Sequence, residues 1–455
     1  MKTLKISFFL GTVIVFVFFG NKINGQLNFS AAKTIVNQIE RISFPTDTFW
    51  VTGFGAKIDG IFDNRPSILK AIEDCSKKGG GVVMLSGGTF FCKGPISLKS
   101  NVNLHIADGA TLLFSSEPDD YLPAVFTRWE GVEIYNYSPL IYTAEQENVA
   151  ITGEGIIDGN ASETWSTFRS KQGPAQNRAR EFGAEQVPVK ERIFGNGYFL
   201  RPSFVQFIYC SRILVEGVTF KNSPFWILHP VYCSDFVIRN VEFISMNINN
   251  DGIDVDSSIN GLIEECSFTT GDDAVVFKSG RDQDGWRVRK PTQNIVVRNC
   301  LAPQALHGIA FGSELSGGIE NIFVENFRMG KVRSKAIQFK ANKDRGGYVK
   351  NIYIRNVEVD ESEGDLFYFT NNYHGYRGGD APSAFHDIYI ENVSCRYANS
   401  VIHLQGLSES PLDKITFQNI TVEKAGNVFG KMENFRNVEF KRFLVSGEKI
   451  KLQVN

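Results

Sequence analysis

The sequence contains no C-x-x-C pair, no Gly/Ser- or Pro-rich linker, no basic excess and, beyond its first two dozen positions, no long apolar run. Each absence excludes something. Without closely spaced cysteine pairs, a structural zinc site is not expected. A formal net charge of -2 argues against a nucleic-acid partner, which calls for a basic face. Without linkers, the chain reads as one domain, and without a second apolar run it has no membrane anchor in its body. The seven cysteines, Cys75, Cys92, Cys210, Cys233, Cys266, Cys300 and Cys395, are odd in number, and several fall inside strand-like runs. They read as buried core thiols rather than bridges.

Glycine (42 residues) and phenylalanine (38) are abundant. That mixture suits short strands, tight turns and an aromatic interior. At the start, Lys2 and Lys5 precede the apolar run Ile6 to Gly20, and small residues follow near Gly25. The run is shorter than the ~20 residues of a membrane-spanning helix. It has the form of a secretory signal over residues 1–25, with no cysteine before Cys75 to carry a lipid. The expected mature chain, residues 26–455, is therefore exported, to the periplasm or beyond, as a monomer without a membrane anchor.

One unit recurs along the chain. "DFVIRNVEF" starts at Asp235, "NGLIEECSF" at Asn260, "NIVVRNCLA" at Asn294, "NIFVENFRM" at Asn321, "NIYIRNVEV" at Asn351, "DIYIENVSC" at Asp387 and "KITFQNITV" at Lys414. Apolar and polar residues alternate in each copy, the period of a half-buried strand. A unit of this kind cannot bury its own apolar face, so neighbours must stack. No helical period appears, which points to an all-β parallel β-helix. The sixth position is repeatedly asparagine: Asn240, Asn299, Asn326, Asn356, Asn392 and Asn419. Stacked coils would join these amides in a ladder. An amphipathic helix over Arg65 to Lys78 is expected to cap the N-terminal end of the solenoid. The polar stretch Ser162 to Glu191 interrupts the repeat and reads as a loop or small lobe over one face.

The repeat register places the acids. Asp273 and His307 lie at the same offset from the unit starts Asn260 and Asn294. They are thus expected on neighbouring coils, about 4.8 Å apart. Asp251 and Asp272 fall, with Asp273 and His307, in the turn after the repeat strand, and Lys340 follows on the next coil. Crowded carboxylates repel, and the repulsion raises one pKa and retains a proton. A retained proton beside a second, ionised carboxylate is what glycosidic hydrolysis requires: one acid protonates the leaving oxygen and another activates water.

These motifs, Asn249-Asn250-Asp251, Gly271-Asp272-Asp273, His307-Gly308 and Lys340, resemble in order the NTD, GDD, GHG and RIK motifs of the polygalacturonase family of glycoside hydrolases, family 28. The resemblance spans most of the mature chain, and "HGIAFGSE" extends it. It implies a right-handed parallel β-helix and an inverting hydrolysis of pectin-type, galacturonic-acid-containing polysaccharide, without cofactor or metal. It implies Asp272 as general acid, Asp251 and Asp273 positioning the water, His307 supporting the acids, and Lys340 binding the sugar carboxylate. Asn249, Lys278, Arg281 and Gln338 complete the substrate-binding candidates.

Three positions depart from the family pattern. Asn250 replaces threonine, Leu306 replaces the first glycine of GHG, and Gln338 stands where the family has arginine. A neutral amide cannot clamp a carboxylate as a guanidinium does. Rhamnogalacturonan or another acidic galactan therefore stays open as substrate, and Arg281 is a candidate for the charge missing at Gln338. Basic residues cluster at Lys331, Arg333, Lys335, Lys340, Lys343 and Arg345, and again from Lys278 to Lys290, which favours an anionic ligand. The aromatics of "FYFTNNYHGYRGG" (Phe367 to Gly379) suit either sugar stacking or packing under a loop. The N-terminal insertions suit closure of one end of the cleft and removal of terminal sugars. Three other readings stay open: a calcium loop at Asp251, Asp254 and Asp256, a polysaccharide lyase, and a non-catalytic glycan-binding solenoid.

Overall fold

The computed structural model describes residues 29–40, 42–161 and 163–452. The stretch read as an export signal lies outside them. Apolar residues at every second position turn each repeat strand inward, and loops return the chain to the same level one coil later. Val205–Ile208, Ser211–Glu216 and Thr219–Lys221 form one coil. Leu228–Val231, Ser234–Arg239 and Glu242–Ser245 stack on it, all parallel and in register. Further on, the corners tighten and whole coils run as single bent strands: Thr292–Gly312, Ile319–Lys340, Tyr348–Thr370, Ala384–Gln405 and Leu412–Glu433. Among the described residues, twenty-five strands share one sheet wound on itself, a parallel β-helix, as expected.

The phenylalanines fill its axis. Phe277, Phe311, Phe339 and Phe369 stack on successive coils at 5.1, 4.3 and 4.3 Å between centroids. Each such pair adds about 0.5–1.5 kcal/mol beyond area burial. All seven cysteines are buried and unbridged.

The ladder exists but differs from the expected one. Asn326 donates to Asn299 (2.9 Å), Asn356 to Asn326 (3.0 Å), Asn392 to Asn356 (3.1 Å) and Asn419 to Asn392 (2.9 Å). Asn240 is not a rung, because Glu265, not an asparagine, occupies the matching corner of the next coil. A second ladder joins the first residues of the units, Asn260, Asn294, Asn321 and Asn351, at 3.1–3.2 Å. The rungs of both ladders have φ between 54° and 59°. Asparagine tolerates this left-handed conformation better than most side chains.

The cap helix runs from Arg65 to Lys77, with Pro66 in its first turn, and buries Ile68, Ala71, Ile72 and Cys75. A second helix, Phe29–Gln38, lies against the side of the solenoid on Leu262, Val296 and Phe323. The stretch interrupting the repeat carries two helices, Thr164–Phe168 and Gly173–Ala184. Trp165 and Phe168 of the first pack into the main core, whereas the second forms, with the hairpin Val125–Trp129 and Val132–Asn136, a lobe with its own core, including Trp129, Ile134, Ala179 and Leu200.

Buried ion pairs tie the lobe to the solenoid. Arg128 Nη1 meets Asp256 Oδ1 at 2.9 Å with both side chains inaccessible, and Arg192 Nη1 meets Asp284 Oδ1 at 2.7 Å. Arg180 Nη2 reaches Asp282 at 2.8 Å and Asp344 at 3.3 Å.

Candidate active site

Asp273 and His307 are register partners on adjacent coils, as their offsets predict. They do not sit in turns, however. Asp273 begins the strand Asp273–Lys278, and His307 lies within Thr292–Gly312; of the acids, Asp251 and Asp272 occupy the approach to a strand. The line is also not straight. His307 pairs with Lys335, whereas Lys340 pairs with Gly312, further along the strand. Lys340 joins the acids by reaching back, its Nζ 3.0 Å from Asp273 Oδ2.

Glycines make room for this convergence. A Cβ on Gly271 would lie 1.9 Å from the Asn247 carbonyl, and one on Gly308 2.5 Å from that of Ala336. Leu306 sits half-buried within its strand, its N–H donating to the Asp272 carbonyl at 3.2 Å, so glycine is not required there.

His307 Nδ1 lies 2.7 Å from Asp273 Oδ1 and 3.4 Å from Asp272 Oδ1. Asn249 Nδ2 lies 3.4 Å from Asp272 Oδ2, on the other carboxylate oxygen. Asp272 is the most open of the three acids, its side chain 18% accessible against 1% for Asp273. Asp251 is buried, and its Oδ1 has no hydrogen-bond partner.

Environment separates these carboxyls. Burial pushes Asp251 well above the usual carboxylate range, and the charges of Asp254, Asp272 and Asp273 add to it. Burial alone would raise Asp273 too. The Lys340 ammonium and His307 override it and hold Asp273 well below that range.

Two supports were not visible in the motif. Asn250 staples the turn before Asp251: its Oδ1 accepts from Ser245 Oγ (2.6 Å) and the Asn247 N–H (3.1 Å), and its Nδ2 donates to the Ser223 and Phe225 carbonyls (3.1 and 2.9 Å). Arg201 orients Asn249, donating to its Oδ1 at 2.7 Å and to the Ile248 carbonyl at 2.8 Å. Burial, with the nearby Arg169 charge, lowers the Arg201 pKa to about 10.

Lys278 and Arg281 line the same cavity but are already paired. Lys278 Nζ lies 3.3 Å from Glu314 Oε2 and 3.6 Å from Asp254 Oδ1, over the Trp226 ring. Arg281 bridges Glu130 (3.1 Å) and Glu314. Its charge is thus already partnered within the protein. Gln338 is buried on a later coil and does not line the cavity, and its Oε1 has no partner. The suggested calcium loop also gives way, because Asp254 and Asp256 lie buried on a strand beside the side-chain cations Lys278 and Arg128.

The cavity holds about 330 Å³. Its floor carries Asp251, Asp272, Asp273 and Lys340; one wall is the lobe, through Arg169, Gln172, Asn177 and Arg180. Tyr373 and His374 line it from a later coil, whereas Phe367 and Phe369 of the same stretch are core. Among the described residues, oxygens of Asp272 and Asp273 and a ring nitrogen of His307 lie within 4.8 Å of one another, a spacing able to hold a metal ion. The Lys340 ammonium already on Asp273 opposes a divalent cation there.

Residues 195–443, from the lobe's end through the coils that carry the acids, match the model of glycosyl hydrolases family 28. The chain belongs to that family. It is a glycoside hydrolase. Residues 48–109 match a second model, that of the pectate lyase-like rhamnogalacturonase A/epimerase group. A probable polygalacturonase of Vitis vinifera is 30% identical over 393 residues, spanning 82% of this chain and 73% of the relative. An exo-poly-alpha-D-galacturonosidase of Dickeya chrysanthemi is 24% identical over 84% of this chain and 73% of its own length. A hyperthermoactive exopolygalacturonase from Thermotoga maritima superposes with a TM-score of 0.86 at 36% identity, covering 91% of this chain and 96% of the other. As a family 28 hydrolase, the chain carries its acids on the coils between the lobe and the long single-strand coils. Glu130, Arg169, Arg201 and Glu314 escaped the sequence reading. Only Glu314 had a local signal, at the end of "HGIAFGSE"; the others come from chain segments far from the motifs.

Proposed function

We propose that this family 28 hydrolase cleaves galacturonic-acid-containing, pectin-type polysaccharide from a chain end, by an inverting mechanism without metal. The observation that carries the reading is the convergence of Asp251, Asp272 and Asp273 on one cavity. Asp272, the most open of the three acids, protonates the glycosidic oxygen as the bond breaks. Asp251 and Asp273 lie deeper and hold the water that attacks the opposite face of the sugar. His307, between Asp272 and Asp273, keeps the pair in position. Asp273, kept ionised by Lys340 and His307, is the carboxylate that takes the water's proton, and Asp251 beside it holds the water in place. Lys340 also presents positive charge to a sugar carboxylate.

The lobe wall supports attack at a chain end, and so does the likeness to exopolygalacturonases. The apolar run behind Lys2 and Lys5 supports export. No helix of the described residues is long and apolar enough to cross a membrane.

The test is digestion of polygalacturonate followed by product sizing and proton NMR of the new reducing ends. Release of the β-anomer first from an α-linked substrate is the expected result, and Asp272→Asn should lower kcat by at least about a thousandfold. Unsaturated, ultraviolet-absorbing products would make the protein a lyase instead.

A further inference from the structure

Lys335 stands apart from the other cations around the site. It faces His307 across one strand spacing, on the next coil. Its ammonium sits over the ring of Tyr368, 5.1 Å from the centroid. Tyr368 is the register partner of Gln338, and beyond it the ring of His403 lies against Tyr368, tilted by 36°, with centroids 4.4 Å apart. Both rings are half-buried on the outer face of the sheet. Lys278, Arg281, Lys340 and Arg345 each have a carboxylate within ion-pair distance. Lys335 has none among the described residues, and its Nζ bonds only the Ser334 hydroxyl, at 2.9 Å. It is a half-buried ammonium without a counter-ion, next to an amide, Gln338, that cannot supply charge.

The location gives the ammonium a use. The lobe walls the cavity at the loops that follow the strands, where Arg180 holds Asp282, Asp344 and the Gly375 carbonyl. A polymer entering by its end must therefore leave its remaining sugars on the side away from that wall, where Lys335, five residues before Lys340 on the same strand, lies with Tyr368 and His403. A pyranose ring there would meet an aromatic face, and a carboxylate on it would meet an unpaired cation. Burial lowers the pKa of Lys335, against the pull of the Asp365 carboxylate and with the push of the Lys340 charge. An arriving anion relieves that penalty.

We infer that Lys335, set over the Tyr368–His403 ring pair, binds the carboxylate of a hexuronic acid on the leaving side of the scissile bond, and so fixes the enzyme's preference for de-esterified chain in place of the guanidinium absent at position 338. The assignment rests on the function proposed above.

Two trigalacturonides separate the possibilities, one fully ionised and one methyl-esterified on both leaving-side sugars. Binding is measured by calorimetry in the Asp272→Asn background, where hydrolysis is blocked. Adding Lys335→Met should raise Kd for the ionised compound about tenfold and leave Kd for the ester within about twofold, with Tm unchanged. Lys335→Arg should retain the preference. Equal losses on both compounds, or no loss on either, overturn the assignment while leaving the hydrolase intact. If the native protein cleaves the ionised compound, the underlying reading holds regardless of that result; if it neither cleaves nor binds it, both fall together.

Discussion

Asp251 shows what the site costs the fold. Its carboxylate is buried with one oxygen unbonded, and burial together with three neighbouring acids raises its proton affinity. A carboxyl whose folded pKa lies above its unfolded value of 3.8 favours the native state when protonated. That stabilisation is complete below about pH 4 and is lost as pH rises through the folded value. Asp251→Asn mimics the protonated form at every pH. The variant should be inactive yet more stable than the native protein at pH 7, by about 1–2 kcal/mol, and the gap should close toward pH 4. Urea unfolding at several pH values measures this. Equal stabilities at pH 7 would mean that the carboxylate is better solvated than its surroundings indicate. Asp273 has the opposite sign. Its pKa is depressed by Lys340 and His307, so its contribution is present above the unfolded value and disappears on acidification.

At the scale of elements, the ladders link local conformation to stacking. Asn356 holds φ at 54° while donating to Asn326 and accepting from Asn392. Alanine there loses both amide bonds and pays for the left-handed backbone, an expected loss of about 2 kcal/mol. Glycine loses the bonds alone and should fall between. Thermal unfolding of Asn356→Ala and Asn356→Gly ranks the two effects; if alanine is the milder change, backbone strain is not what the asparagine relieves.

This ladder was legible because its signal, one residue type at one position of the unit, is local in sequence. Asp273 and His307 were legible for the same reason, as equal offsets on neighbouring units. Lys340 was legible as a motif but not as geometry, because side-chain reach rather than register brings it to Asp273. Arg201 was not legible at all. It lies dozens of residues before the acids, and only the path of the chain around the lobe brings it to Asn249. The helices Thr164–Phe168 and Gly173–Ala184 were equally hidden, since both are short and their burial comes from distant parts of the chain: Trp165 and Phe168 pack into the main core, and Ala175 and Ala179 into a small core shared with Phe225 and Trp226.

The whole molecule is a solenoid with one face partly walled by an insertion, and the proposed attack at a chain end makes that wall the element to test. A bare solenoid face would let a chain lie across the acids at any point along its length. Here the helix Gly173–Ala184 stands beside the acids, and Arg180 fastens it to Asp282 and Asp344 on the solenoid and to the Gly375 carbonyl at 2.9 Å. All three contacts depend on one nearly buried guanidinium, while the deeper pairs Arg128–Asp256 and Arg192–Asp284 secure the rest of the lobe. Arg180→Ala should therefore loosen the wall without unfolding the protein. It leaves Asp282 paired with Arg345 at 2.5 Å. Cleavage of polygalacturonate by the native enzyme should release small products with little early fall in viscosity. The Arg180→Ala variant should lose viscosity sooner for the same number of reducing ends, because mid-chain segments can then reach Asp272. If viscosity and reducing ends keep their native relationship in the variant, the wall does not set the mode of attack, and the end preference must come from the subsites that hold the sugar itself.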